Sequence, residues 1–276
     1  MSYAAILVHA ETAAAAARRL DLAADLANQF GAALIGLGAE TFEQPSAAAA
    51  VGYMDGATLV AEAEAVQDDL KLAEARFREA SKAVKAGAEW RSGVGMPYDM
   101  LVHEARAADL IVSGPRRSES WGLHNIADPG DLVMNSGRPV LVVPLDLERL
   151  DASSIVVAWK DTREARRAVA DALPFLKRAR TVLVAGICED RAASGVQALL
   201  DDVAGYLARH GVKASTAARP PSQGSAVRAL VEIAHTQEAG LIVAGGYGHP
   251  RLREWAFGGV TQALLSGCGH AVLLSH

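Results

Sequence analysis

Four glycines late in the chain stand where a phosphate could be held. Gly245 and Gly248 follow the apolar run LIVA. Gly258 and Gly259 open a segment in which Val260, Ala263, Leu264 and Leu265 recur at helical spacing. Glycine at a strand end lets the backbone approach an anion with no Cβ in the way. The free N–H groups at a helix start face that anion along a favourable dipole. The chemistry these residues offer is anion binding.

Covalent chemistry finds less support. The sequence holds no Gly-x-x-x-x-Gly-Lys-(Ser/Thr) loop, no Gly-x-Ser-x-Gly nucleophile elbow and no His-Glu-x-x-His zinc motif. A weak alternative remains, in which phosphate held near Lys160, Asp161 and His249 exposes a water for slow nucleotide hydrolysis. His249, His270, His276 and Cys268 lie close in sequence without a recognised ligand spacing. Cys188 and Cys268 are far apart and form no Cys-x-x-Cys pair, so neither a metal site nor a disulfide framework is indicated. Trp255 and Phe257, between the glycines, read as packing residues of the linker.

An earlier stretch, SGPRRSESWGLHNIADPGDLVMNSGRPVLVVP, copies the order of these elements but not their chemistry. Gly114 survives, Arg117 takes the place of the second glycine, and Ile126 and Ala127 stand near the third and fourth. A phosphate loop of the same type is not expected there, and Arg116 and Arg117 read as exposed surface arginines.

The elements that must position these residues repeat across the chain. AILVHAETAAAAARRL near the start matches SIVVAWKDTREARRAV, GAALIGLGAE matches RTVLVAGICE, ADLIVSG matches AGLIVAGG, and GRPVLVVP matches GHAVLLSH, always in the same order. In the second copy Ala165, Ala168, Val169, Ala172, Leu173 and Leu176 form a helical stripe suited to packing on a sheet. Asp161, with Glu164 three residues on, reads as a capping-box variant, and Pro174 should end or kink that helix. Short apolar runs alternating with amphipathic segments give βαβ units and a mainly parallel sheet. Each half reads as five strands with about four helices, in the doubly wound order 2-1-3-4-5. The fold class is therefore α/β, with two tandem flavodoxin-like or Rossmann-like domains at residues 1–147 and 152–276, separated by LDLERLD. The first half carries a longer connection after its second strand. That insertion starts as a loop marked by Pro45, Ser46, Gly52 and Gly56 and becomes a helix over 61–85.

With 276 residues the chain has room for two such domains, and aromatics at 5% leave the core to aliphatic side chains. A net charge of -5 gives no general basic surface for nucleic acid. The start lacks a basic region before its apolar run, and no stretch reaches the roughly 18 apolar residues of a membrane span. A cytoplasmic location is the expectation.

The spacing Gly245-x-x-Gly248, nine residues, then Gly258 resembles the Gly-2x-Gly-9x-Gly-(Ser/Thr) signature of nucleotide-binding universal stress proteins. The resemblance covers essentially the whole chain as two copies of that family's domain. It implies an adenine nucleotide, ATP or a relative, with phosphates on the backbone of Gly245, Gly248, Gly258 and Gly259 and adenine and ribose near Ala158, Asp161 and Ile187. Ile187 would give backbone hydrogen bonds to adenine. Two positions depart from the pattern: Gly259 stands in place of Ser or Thr, and Lys160 in place of the usual Asp after the first strand. Thr261 and Asp161 lie close enough to compensate, and Lys160 would screen phosphate charge. The implied role is a non-catalytic nucleotide sensor acting on an unidentified protein partner; the alternatives are a nucleotide-free scaffold acting through dimerisation, and the weak hydrolase. Gly245→Asp should then abolish nucleotide binding and leave the fold largely intact. The final strands PVLVVP and AVLLSH are candidate edges whose pairing would join the halves as a pseudo-dimer, with a homodimer of whole chains as a further level.

Overall fold

The computed structural model describes residues 2–41, 56–115, 127–188, 193–247 and 259–276. Gly248, Gly258, His249, Arg116, Arg117, Ile126, Trp255 and Phe257 lie outside the described residues, as does the predicted loop at 42–55.

Aliphatic runs bounded by turns form the strands, and amphipathic segments between them form the helices. The first half runs β1 (Ala5–His9), α1 (Ala14–Phe30), β2 (Ala33–Glu40), α2 (Gly56–Ser81), β3 (Ala88–Val94), α3 (Pro97–Glu104), β4 (Leu110–Ser113), α4 (Pro129–Asn135) and β5 (Val140–Val142). The second runs β6 (Ser154–Ala158), α5 (Arg163–Asp171), α6 (Leu173–Leu176), β7 (Thr181–Ile187), α7 (Ala193–Arg209), β8 (Ser215–Arg219), α8 (Ala226–Thr236), β9 (Leu241–Gly245), α9 (Gly259–Leu265) and β10 (Ala271–Ser275). The long insertion of the first half supplies α2, of 26 residues against 17 in its counterpart α7. Pro174 sits in the first turn of α6, just after α5 stops, because proline has no N–H to continue the α5 ladder.

The strands form one ten-stranded sheet in the order β3-β2-β1-β4-β5-β10-β9-β6-β7-β8. Each half is therefore ordered 3-2-1-4-5, not the 2-1-3-4-5 read from the element pattern. The strand–helix alternation is common to both orders and does not say on which side of β1 the third strand lies. Exposure decides it. β4 is buried along its length and belongs inside the sheet, while β3 and β8 carry exposed and half-buried residues and sit at its two ends. The switch point of each half consequently falls between the first and fourth strands, β1/β4 and β6/β9.

All pairings are parallel except that of β5 with β10, where Val142 faces Val272, Leu141 faces Leu273 and Val140 faces Leu274. This antiparallel seam joins the halves and points their carboxyl strand ends in opposite directions.

Apolar layers cover both faces and cross the seam. One holds Ile6, Val8, Leu141, Val157, Val243 and Leu273; the other holds Leu7, Val140, Val142, Val156, Ile242 and Leu274. On the first face Tyr3, Phe30 and Phe175 meet edge to face, with ring centroids 4.8–5.7 Å apart. The Tyr3 hydroxyl donates to the Asp171 carbonyl at 2.7 Å, tying the start of the first half to α5. Aromatic pairs of this kind contribute about 0.5–1.5 kcal/mol beyond area burial.

Candidate functional site at the second switch point

β6 and β9 are neighbours, with Ala158 opposite Ala244, so Gly245 lies one residue beyond the end of β6. β7 flanks β6 on the other side and runs past it: Ala158 pairs with Ala185, leaving Ile187 two residues further on. Cys188 donates its N–H to Arg219 in β8 at 2.9 Å. Residues of a strand alternate between neighbours, so the Ile187 amide faces the β6 side, where β6 has already ended. The fold thus brings Ala158, Ile187 and Gly245 to one strand-end crevice, where open α/β sheets receive ligands.

The loop after β6 carries Lys160 and Asp161, both turned to other work in part. The Asp161 carboxylate pairs with Arg166 on α5. Asp161 is not the helix cap; Thr162 is, its hydroxyl accepting from the Ala165 N–H at 3.3 Å. Threonine one residue nearer the helix has the shorter reach to the third N–H, so it takes the cap position. Glu164 is buried beneath the loop. Burial pushes its carboxyl up, but its own backbone N–H, Thr162 and Arg163 outweigh this and hold it below the usual carboxylate range. The start of α5 is therefore already supplied with acceptors from its own chain.

Gly245 has a packing reason to be glycine. A Cβ there would lie 2.5 Å from the Ala165 backbone nitrogen and 2.7 Å from the Glu164 carbonyl carbon, so the first turn of α5 sits directly on the strand end. Gly245→Asp is corrected accordingly: it strikes rigid backbone and disturbs the fold, and cannot isolate a ligand effect. Gly259 is different. It opens α9, and no described atom lies within 4 Å of the place its Cβ would take. Thr261 is buried and its hydroxyl meets the Tyr247 N–H at 3.5 Å, linking the turn after β9 to α9. The Thr261 hydroxyl thus serves the turn after β9 as an acceptor.

Several residues of the crevice carried no functional reading in sequence. Tyr247 has φ of 58°, in the left-handed region that costs a non-glycine residue about 1–2 kcal/mol. Strain of this kind collects at ligand sites. The His276 ring links two arms of the crevice, with Nδ1 3.1 Å from the Gly246 carbonyl and Nε2 3.1 Å from Arg163 Nη2. A carbonyl only accepts and a guanidinium only donates, so Nδ1 carries the hydrogen and Nε2 accepts. The buried indole N–H of Trp159, directly after Ala158, and the buried Ser275 hydroxyl have no hydrogen-bond partner among the described residues. Gly246 continues toward the first half: a Cβ there would meet Val133 of α4 at 2.7 Å.

The first switch point is built from other materials. Alignment of β1 with β6 places His9 at Ala158, Glu11 at Lys160 and Arg19 at Ala168, and Gly114, directly after β4, stands where β9 ends in Gly245. His9 and Arg19 are 4% and 6% exposed. Arg19 Nη2 donates to Glu11 Oε1 at 2.7 Å and to the His9 carbonyl at 3.2 Å, and His9 Nδ1 lies 3.2 Å from the same carboxylate oxygen. The signal was present in sequence. Ala16, Leu20 and Ala23 match the apolar stripe of α5, and a charged residue at position 19 interrupts it.

Elsewhere, a groove of about 430 Å³ between β8 and α8, lined by Ala217, Pro220, Pro221 and Ile233 among others, contains none of the predicted site residues. Among the described residues no group of three His, Cys, Asp or Glu side chains is placed to hold a metal ion, and no helix is long and apolar enough to cross a membrane.

Known structures share this architecture along its whole length. A universal stress protein of Archaeoglobus fulgidus DSM 4304 aligns with 98% of this chain and 97% of its own at a TM-score of 0.76 and 14% identity. The fold is that of the universal stress proteins. A functionally unknown protein of Pseudomonas aeruginosa PAO1 aligns with 99% of this chain and 92% of its own, at a TM-score of 0.57 and 14% identity. No protein-family model and no curated protein matches the sequence. The universal stress protein fold, present twice around the β5–β10 seam, thus places one glycine-ended switch point and one filled with charged side chains in a single chain.

Proposed function

We propose that the chain is a tandem universal stress protein that binds ATP or a related adenine nucleotide at the second switch point and acts as a non-catalytic sensor in the cytoplasm. The two functional units are residues 1–147 and 152–276. The observation that carries this reading is the convergence of Ala158, Ile187 and Gly245 on one strand-end crevice, to which Thr261 in the first turn of α9 is joined through the Tyr247 N–H. Phosphate sits on the α9 start and the glycine turn, adenine lies along the free edge of β7 at Ile187, and exposed Lys160 screens the phosphate charge. Gly246 against Val133 of α4 gives the occupied site a path to the first half, and from there to a protein partner or a second copy of the chain.

A nucleotide-free scaffold is the second reading. It is favoured by one observation: helix packing alone accounts for Gly245, and α5 finds its acceptors within its own chain. Denaturing the purified protein and identifying released small molecules by mass spectrometry, followed by titration with ATP, separates the two. An adenine nucleotide in the released fraction, or micromolar ATP binding, supports the sensor. Absence of both supports the scaffold. Single-turnover ATP hydrolysis that disappears in Asp161→Ala would instead support a weak hydrolase.

A further inference from the structure

We infer that the first half is liganded by its own chain: the Glu11 carboxylate occupies an oxyanion site built from Arg19 and His9 at the β1/β4 switch point, and this contact keeps external anions out. The two donors are buried side chains converging on one carboxylate oxygen, at 2.7 Å from Arg19 Nη2 and 3.2 Å from His9 Nδ1. A guanidinium taken out of water requires such a partner, and its planar fork donates to carboxylate and to phosphate oxygens. Arg19 Nε and His9 Nε2 are buried and have no hydrogen-bond partner among the described residues, so Glu11 does not use every donor of the pair.

The shape of the crevice supports the same conclusion. In the second half the backbone of α5 touches the position of a Gly245 Cβ, whereas the described atoms nearest the equivalent point on Gly114 are Arg19 Nη1 at 2.8 Å and Cζ at 3.9 Å. α1 therefore stands back from the strand end by the thickness of a guanidinium, and the charged head fills the gap. An oxyanion replacing the Glu11 carboxylate would find Arg19 and His9 already in place.

The test is thermal unfolding of the full chain with Glu11→Ala, in acetate, phosphate or chloride at matched ionic strength. Wild type is expected to show the same Tm in acetate and chloride, and any gain it makes in phosphate through the second switch point is subtracted from that of the variant. Glu11→Ala should melt lower in chloride and recover by about 5 °C in millimolar acetate or phosphate. The anion giving the larger recovery identifies the preferred oxyanion. Adding Arg19→Met to Glu11→Ala should abolish the recovery. If Glu11→Ala does not fold in chloride, the same comparison is read as refolding yield, which acetate or phosphate should raise. A Glu11→Ala protein indifferent to the anion in both Tm and refolding yield overturns the inference, as does a wild-type chain that gains as much from acetate or phosphate as the variant.

Discussion

The two switch points occupy the same place in the same fold and solve opposite problems. At β6/β9 the helix is drawn down onto a glycine, the loop after β6 carries an exposed lysine, and no described atom crowds the Cβ position of Gly259 at the α9 start. At β1/β4 the helix stands off, and an arginine, a glutamate and a histidine close the gap. The exchange of Ala168 for Arg19 accompanies most of this difference, since a small residue allows close helix–strand packing and a guanidinium prevents it. Duplication of a fold thus does not duplicate its chemistry.

Four substitutions or pairs would break or sharpen the contrast. The largest effect is expected for Glu11→Met, which leaves the buried Arg19 guanidinium without its carboxylate partner and should cost about 3–5 kcal/mol in urea unfolding. Lys160→Met, at the exposed equivalent of Glu11, should stay within about 0.5 kcal/mol. Similar costs for the two would mean that the first crevice is not held by charge.

Next in size is the glycine pair. Gly245→Ala forces Cβ against the α5 backbone and should cost about 3 kcal/mol, whereas Gly114→Ala meets the movable end of Arg19 and should cost about 1 kcal/mol. Equal midpoints in the two unfolding curves would contradict the difference in helix seating. Gly259→Asp comes third. It adds a negative charge at the α9 start, where no described atom lies within 4 Å of the new Cβ, so it should weaken ATP binding at least tenfold, about 1.4 kcal/mol, with little change in Tm. Unchanged affinity would remove α9 from the site.

The smallest effects are pH-dependent and opposite in sign. Glu164 is held below the usual carboxylate range, so its contribution is present above the ordinary glutamate pKa and is lost as pH falls through its lowered value. Glu164→Gln should therefore cost about 1 kcal/mol near neutrality and little in strong acid. Glu40, at the end of β2, is pushed up by burial, with Asp69 and Glu11 adding to it and His9 opposing. Its stabilising protonated form is present at low pH and lost as pH rises through the raised value. Glu40→Gln should raise Tm near neutrality and match wild type in acid. Stability curves over pH for the two variants, if they moved the same way, would contradict these assignments.

The sequence made some of this readable. Matched strand and helix segments revealed the duplication, and the stripe from Ala165 to Leu176 identified the face of α5 and α6 that packs inward. Strand order was misread, because helix–strand alternation carries no information on which side a crossover lands. The polar composition of AEWRSGV, set beside the wholly apolar LIV of β4, held the missing clue. At the site, spacing brought forward Gly245 but not the reason for it, since a glycine beneath a helix and a glycine beneath a phosphate look alike in one dimension. Arg163 and His276 meet only through the fold, 113 residues apart in sequence.

The contrast between the halves reduces to a stoichiometry. Native mass spectrometry of the intact chain titrated with ATP should show one nucleotide per chain, retained in Glu11→Gln and lost in Gly259→Asp. Two nucleotides per wild-type chain would contradict the closed first site, and none would contradict the open second one.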